Sequence, residues 1–326
     1  MRPPIVYLDS STLADAFGAV HVHTPSGHSP YEKLYILIGK VSAEGSLCYS
    51  TTHLEELVEW DPVERVIAFA EWIESLEPVW CRSADRALDG ELQWWLRREL
   101  GMSRSTEYSP FSESFTGVIG APSSPSGAAD LLAKHRLQDK VRDVYSRRAH
   151  LPDIKGFSTD AFRQLHRDRM RGYPPELIEN VISERTVQGL GSRARQLWPT
   201  LVAERPGLSE ADVVNASRAL VSQPEAIPLD RLMNRTLGGL AKQTTAQDAD
   251  SRAFRRRYRS ATHDIMHLTG SAYGDIFTCD RRIDEAIGNL RTDRGLLPQL
   301  SVRGEGGAAA FVEALGQQFA HLTKTA

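Results

Sequence analysis

The sequence predicts an α/β protein in which a parallel sheet flanked by helices is interrupted by a long all-helical insertion. Three observations lead to this fold class. Short apolar runs alternate with helical periodicity near both ends of the chain, as in α/β layers. The stretch from 128 to 260 shows helical patterns without a convincing strand. Two of the apolar runs end on an aspartate, which bears on function.

The bulk composition is that of a globular protein. A chain of 326 residues can hold one large domain or two medium ones. No apolar run approaches the ~20 residues of a membrane span, and Asp9 interrupts the first run too early for a signal peptide. The three cysteines lie in apolar stretches and predict buried thiols in a reducing compartment. The cytoplasm is therefore the expected location.

The N-terminal third is expected to alternate strands with helices. A first helix should run through Phe17, with Ser11 or Thr12 as its N-cap. The remaining strands and helices follow from apolar periodicity and capping residues. The predicted strands are 4–9, 46–50 and 78–83, and the further helices are 31–44, 52–60 and 62–77.

Helices dominate the middle of the chain, and the α/β pattern returns at the end. Pro174–Pro175 and Ser209 suit helix starts, whereas Gly189 and Gly191 are expected to interrupt a helix. The other predicted elements are helices at 85–100, 260–273, 281–290 and 307–322, and strands at 275–280 and 298–304.

This pattern predicts a discontinuous α/β domain. Residues 1–84 and 261–326 would form it, and residues 85–260 would be the helical insertion. The charges follow a similar division, with nets of −7 over 1–84, +6 over 85–262 and −2 over 263–326. Acidic clusters attract cations and basic surfaces attract phosphates, so a cation site in the α/β part and a nucleic-acid surface in the insertion are expected.

Four acidic residues are candidates for one site. Asp9 and Asp280 end predicted strands, Glu56 follows the second strand, and Asp264 lies in the helix before the strand at 275–280. Ligands of parallel sheets bind beyond the carboxyl ends of the strands. Glu55 competes with Glu56 but suits a helix cap better. We therefore expect the four carboxylates to meet at one edge of the sheet.

Three segments resemble the motifs of PIN-like nuclease domains. They are YLDSSTL, CYSTTHLEEL and HDIMHLTGSAYGDIFTCDRRI, in this order along the chain. The resemblance covers roughly residues 4–83 and 261–320 and implies a fold, an activity and a metal. It implies an endoribonuclease that uses Mg²⁺ or Mn²⁺, with Asp9, Glu56, Asp264 and Asp280 as metal-binding acids, Ser11 as an auxiliary residue and Asp275 as a supplementary acid.

The chemistry of clustered carboxylates leads to the same kind of site independently. Like charges repel unless a cation joins them or some groups bind protons. Hard divalent ions prefer oxygen ligands, and a bound ion activates water for attack on phosphorus.

Other interpretations of these residues exist. Asp9 could simply cap the next helix, and Glu55 and Glu56 could belong to a solvated helix face. The sequence His263-Asp264 also suggests an HD-type phosphohydrolase, although those enzymes are all-helical. His53 and His267 are expected to orient other residues or to pack. A PIN-like module that binds RNA or protein without catalysis is the alternative from a different class.

A basic stretch of the insertion predicts a nucleic-acid surface. Four arginines share one helical face just before Asp264, and they are Arg252, Arg255, Arg256 and Arg259. A basic stripe leading to a metal site is suited to phosphate tracking. RNA is expected rather than DNA, with docking of a protein partner as the alternative. Trp94–Trp95 is expected to belong to the core rather than to stack on bases.

Overall fold

The computed structural model describes residues 3–22, 29–57, 63–103, 108–112, 175–223, 264–279, 300–303 and 307–318, with isolated positions between 226 and 287. Within these residues, six strands form one sheet. They are β1 (Val6–Tyr7), β2 (Leu47–Ser50), β3 (Val79–Cys81), β4 (Phe111–Ser112), β5 (Ile276–Cys279) and β6 (Leu300–Arg303).

The sheet has the order β4-β3-β2-β1-β5-β6, and β1 lies in its interior. Strands β1, β2, β3, β5 and β6 are parallel, whereas β4 pairs with β3 in the antiparallel sense. The α/β class is thus confirmed, with a sheet that is mixed because of β4 and not wholly parallel as predicted. The five strand positions predicted from apolar runs are confirmed too, because short buried runs rich in β-branched and aromatic residues suit a sheet covered on both faces.

Helices cover both faces of this sheet. They are α1 (Ser10–His21), α2 (Pro30–Ala43), α3 (Thr51–Leu57), α4 (Val63–Ser75), α5 (Ala84–Glu99), α6 (Pro175–Glu204), α7 (Glu210–Ala219), α8 (Leu268–Tyr273) and α9 (Gly307–Gln318). A helical turn over 264–266 precedes α8.

The helix starts follow from capping chemistry, with one correction. Asp9 caps α1 by accepting from the backbone N–H of Thr12, so the expected cap at Ser11 or Thr12 was wrong. An aspartate directly after a strand satisfies the free N–H groups as well as a hydroxyl does. The predicted start of α6 at Pro175 and the cap of α7 at Ser209 are confirmed.

Two apolar cores lie on opposite faces of the sheet. The first contains Val6 of β1 and Leu8, which follows β1, and packs against α1, α2, α4 and α9. The second contains Tyr7 of β1 and Phe277 of β5 and packs against α5 and α8. Alternate residues of a strand point to opposite faces, which is why neighbours in β1 belong to different cores.

A third core joins the sheet to the helical part. The second half of α5 buries Trp95 against α6 and α7, with its indole N–H donating to the carbonyl of Ala216 at 3.3 Å. The assignment of Trp94–Trp95 to the core is confirmed, with Trp95 fully buried and Trp94 packed beside it. Helix α6 runs through Gly189 and Gly191, so the expected interruption was wrong, since packing outweighs the cost of glycine.

The expectation of an all-helical insertion was also wrong. Strand β4 lies inside the range 85–260 and adds an antiparallel edge to the sheet. A two-residue strand carries too little apolar periodicity to be recognised in a sequence. The three cysteines are buried free thiols, as predicted. Within the described residues, no helix combines the length and apolarity needed to span a membrane.

Candidate active site

The carboxylate of Asp9 is held at the carboxyl edge of the sheet, the edge where β1, β2 and β5 end. Its Oδ1 accepts from the Thr12 backbone N–H at 3.3 Å, from the Thr12 hydroxyl and from the Thr278 hydroxyl at 2.8 Å. The Ser11 hydroxyl donates to Oδ2 at 2.6 Å. Asp9 is therefore both a helix cap and an oriented carboxylate, and the hydroxyl of Ser11 lies beside it.

Thr278 joins the ends of β1 and β5. Its hydroxyl accepts from the backbone N–H of Asp9 at 2.7 Å and donates to the Asp9 carboxylate at 2.8 Å. Thr278 lies in the third segment that resembles PIN-like domains, but no role was predicted for it from the sequence. The available signal was a hydroxyl at the end of an otherwise apolar strand.

Glu56 and the buried His267 form the centre of the site. Nε2 of His267 lies 2.9 Å from Oε2 of Glu56. Burial lowers the pKa of His267, but the carboxylates of Glu56, Asp9 and Asp264 together raise it above its ordinary value. Three of the four predicted acids thus lie close enough to influence one imidazole. They come from α3, the end of β1 and the turn before α8.

A further carboxylate lies near this group. The pKa of Asp15 is raised by partial burial and by the charge of Asp9. Asp15 was not predicted as a site residue. Its only signal in the sequence is its position in α1, about two turns after Asp9. The site therefore has an excess of negative charge.

Asp275 does not belong to the site. It precedes β5, and its Oδ2 accepts from the backbone N–H of Ile5 at 2.7 Å, at the opposite edge of the sheet from Asp9. This position at the amino end of β5 does not support the interpretation of Asp275 as a supplementary acid. Asp275 instead ties the start of β5 to the start of β1.

Several predicted residues lie outside the described residues. They are Asp280, His263, Arg252, Arg255, Arg256 and Arg259. The side chain of Glu55 is likewise outside the description, whereas Glu56 is half-buried and contacts His267. The setting of His267 beside a parallel sheet differs from the all-helical surroundings of HD-type enzymes.

A layer of buried polar side chains connects to the site through His267. The hydroxyl of Tyr7 lies 2.7 Å from Oγ of Ser50 and 2.8 Å from Nδ1 of His267. His53 lies 2.9 Å from the Ser50 hydroxyl through Nδ1 and 2.6 Å from the carbonyl of Leu8 through Nε2. Burial and the neighbouring His267 lower the pKa of His53 to about 3, so this imidazole is neutral.

The donor set and the charge fit a hydrated divalent cation. Carboxylate oxygens are ligands that Mg²⁺ and Mn²⁺ prefer. Neighbouring carboxylates raise the pKa of His267 against the effect of burial, whereas the pKa of Asp15 is raised first by burial and then by the charge of Asp9. Within the described residues, no three His, Cys, Asp or Glu side chains are close enough to hold an ion directly. Mg²⁺ keeps several waters and often binds through one or two carboxylates, so these acids suit a hydrated ion.

The chain matches no protein-family model, no curated protein and no solved structure. Function is therefore inferred from the side chains at the carboxyl edge.

Proposed function

We propose that the carboxyl edge is the active site of a PIN-like, Mg²⁺- or Mn²⁺-dependent phosphodiesterase that cleaves RNA internally. The observation that carries this proposal is the group of carboxylates around His267. Glu56, Asp9 and Asp264 each raise the pKa of that imidazole. Groups of perturbed titratable residues in one place are typical of functional sites.

The sheet topology supports the same location. From β1 the chain builds the sheet to one side through β2 and β3, and later to the other side through β5 and β6. Ligands of open parallel sheets bind beyond the carboxyl ends of the strands, where the strand order reverses. Asp9 follows β1 at that position, and Thr278 of the adjacent β5 holds its carboxylate.

The proposed chemistry divides between the ion and the chain. A bound ion would activate a water, orient it and neutralise charge on the leaving oxygen. Asp9, Glu56 and Asp264, with Asp280, would hold that ion partly through its bound waters. Thr12, Ser11 and Thr278 keep the Asp9 carboxylate oriented, and His267 does the same for Glu56. Without a cation, these carboxylates would repel a phosphodiester, which makes activity dependent on the metal.

A nucleic-acid substrate is proposed because of the charge distribution, and RNA is preferred because the PIN-like domains that the sequence resembles are mostly endoribonucleases. The range 85–262 carries a net charge of +6 and contains the arginine stripe that precedes Asp264. Lysine and arginine contacts to phosphates supply most of the non-specific affinity of nucleic-acid-binding proteins. The arginine stripe would bind the substrate, and the carboxylates at the carboxyl edge would act in cleavage.

Cleavage of single-stranded RNA tests the proposal. The wild type should cleave internally with Mg²⁺ or Mn²⁺ and lose activity with a chelator. Asp9→Asn and Asp264→Asn should each lose at least about 100-fold, since even outer partners of a metal site cost 10- to 100-fold. Asp275→Asn is the matched control, and it should remain active because Asp275 lies at the opposite edge. RNA binding without cleavage in any metal would favour the non-catalytic alternative.

A further inference from the structure

A chain of buried hydrogen bonds leads from the backbone of β1 to Glu56. It passes through four polar side chains, each almost fully buried: His53, Ser50, Tyr7 and His267. Buried polar groups cost free energy unless they are paired, so a continuous chain of this length constrains every member. Its outer end is the 2.9 Å contact between His267 and Glu56.

The inner end of the chain has a fixed proton arrangement. The carbonyl of Leu8 can only accept, so Nε2 of His53 carries the proton in their 2.6 Å contact. Since His53 is neutral, its Nδ1 has no proton and accepts from the backbone N–H of Ser50 at 3.0 Å. The ring of His53 is therefore held between two backbone groups and anchors the hydroxyl of Ser50.

The number of protons in this chain depends on the charge of His267. When His267 is neutral with its proton on Nε2, Tyr7 donates to Nδ1, and the single proton of the Ser50 hydroxyl serves either Tyr7 or Nδ1 of His53. When His267 is charged, Nδ1 donates to Tyr7, Tyr7 donates to Ser50, and Ser50 donates to His53. In both states Nε2 keeps its proton and donates to the carboxylate of Glu56. A bare Nε2 would instead face the carboxylate with its lone pair.

We propose that Tyr7 is a positioning residue, whose hydroxyl holds the ring of His267 so that Nε2 faces the carboxylate of Glu56. Its role as a positioning residue for catalysis rests on the proposed function, because Glu56 is an acid of the proposed metal site. The Tyr7 hydroxyl contacts two partners, Ser50 and His267. The Tyr7 ring is fully buried and packs against the rings of His53 and His267 at centroid distances of 4.8 and 5.7 Å. Partners that orient the ligands of a metal tune its affinity.

Tyr49 supplies a matched control on the neighbouring strand. It is also almost fully buried, and its hydroxyl has no hydrogen-bond partner in the part of the chain that the structure describes. Removing that hydroxyl breaks no hydrogen bond, so Tyr49→Phe should leave activity unchanged and stability equal or higher. Tyr7→Phe is the same substitution at similar burial but removes the central member of the chain.

Mn²⁺ binding and RNA cleavage give the first readout. Tyr7→Phe should weaken Mn²⁺ affinity and lower kcat by about 10- to 100-fold, while KM for RNA stays unchanged because no substrate contact is removed. Tyr49→Phe should match the wild type in all three quantities. Equal losses in the two variants would overturn the proposal, because the effect would then come from the core and not from the chain.

The ¹⁵N spectrum of the histidines, recorded without metal, gives a readout that does not depend on activity. Wild-type His267 should carry its proton on Nε2 at alkaline pH, and Tyr7→Phe should shift its Nδ1 resonance whereas Tyr49→Phe should not. An Nδ1 resonance unchanged in Tyr7→Phe would overturn the proposal. A protein that shows the shift but neither binds Mn²⁺ nor cleaves RNA would refute the proposed function and leave the positioning of His267 intact.

Discussion

Asp9 has two roles that substitution can separate. It caps α1 and also presents an oriented carboxylate at the carboxyl edge. Asparagine caps helices as well as aspartate does, whereas alanine does not. Only the carboxylate supplies charge to a metal site, so the cap and the charge can be removed one at a time.

We expect Asp9→Asn to fold with nearly the stability of the wild type and Asp9→Ala to lose about 1 kcal/mol or more. Both variants should lose RNA cleavage, because neither has the charge. Chemical denaturation and cleavage assays on the same preparations measure the two effects. If the asparagine variant kept full activity, Asp9 would be a helix cap alone.

The two buried histidines predict a pH dependence of stability with two limbs. The pKa of His53 is lowered to about 3, so its unfolded state binds the proton first and stability is lost as pH falls below about 6.5. The pKa of His267 is raised, so its contribution is present below about 6.5 and is lost as pH rises through the raised value. The pair therefore favours a stability maximum near pH 6.5.

Denaturant unfolding across pH checks this maximum. His53 alone should cost about 2 kcal/mol between pH 6.5 and pH 5. His53→Gln should flatten the acid limb, and His267→Gln should flatten the alkaline limb while keeping an amide N–H for Glu56. An acid limb of unchanged slope in His53→Gln would show that other groups cause it.

The sequence predicted the acids that lie near His267 better than it predicted the partners of these acids. Asp9 and Glu56 were found because acids next to strand ends stand out against apolar runs. Asp275 was assigned a role from the family resemblance alone, although the chain direction already placed it at the amino end of its predicted strand. Thr278 and Tyr7 were missed as site residues because their roles depend on contacts with residues more than 250 positions away along the chain.

At the scale of elements, the placement of α8 depends on a glycine. A Cβ added to Gly270 would overlap the ring of Tyr7. Only glycine lets this helix approach β1 so closely. The close approach matters because the segment around α8 carries His267 and Asp264, so its distance from the sheet sets their positions.

We expect Gly270→Ala to destabilise the protein by about 1–3 kcal/mol through overpacking and to lower cleavage by moving His267 and Asp264. Gly39→Ala in α2 is the matched control, because a Cβ there would meet nothing within 4 Å. That variant should be as stable as the wild type or gain about 0.5–1 kcal/mol. Thermal and chemical unfolding of both variants provide the comparison. A loss at Gly39 equal to that at Gly270 would point to a general sensitivity of the helices.

The elements were predicted well where the apolar period is strong and poorly where packing decides. All five parallel strands were found, whereas β4 was missed because it has two residues and lies at an edge. The break expected at Gly189 and Gly191 did not occur, since α6 packs on α5 and α7 and tertiary contacts outweigh glycine propensity.

At the scale of the whole molecule, the site depends on chain connectivity. The strands that carry Asp9 and Thr278 are neighbours in the sheet although 269 positions separate these residues. The sequence predicted the α/β class. It did not predict the order of the strands in the sheet, because that order depends on long-range pairing that periodicity does not encode. The site is thus assembled from both ends of the chain, with the net charge of +6 over 85–262 between them.

The arginine stripe gives a prediction at this scale. A variant with Arg252, Arg255, Arg256 and Arg259 reversed to glutamate should bind RNA weakly, with a flatter salt dependence of affinity. For a single strand the slope should fall by about 0.7 for each phosphate that the variant no longer neutralises. Mn²⁺ binding should persist, because the substituted residues are not ligands of the proposed site. An unchanged slope together with failure to form a protein complex would assign the stripe to a protein partner.

Locating Mn²⁺ in the folded protein tests the central claim most directly. Crystals equilibrated with Mn²⁺ should show its anomalous scattering at the carboxyl edge beside Asp9, where β1 and β5 end. The Asp9→Asn variant should lose that peak under the same conditions. A peak at another position, or an empty carboxyl edge at saturating Mn²⁺, would contradict the assignment of this edge as a metal-dependent active site.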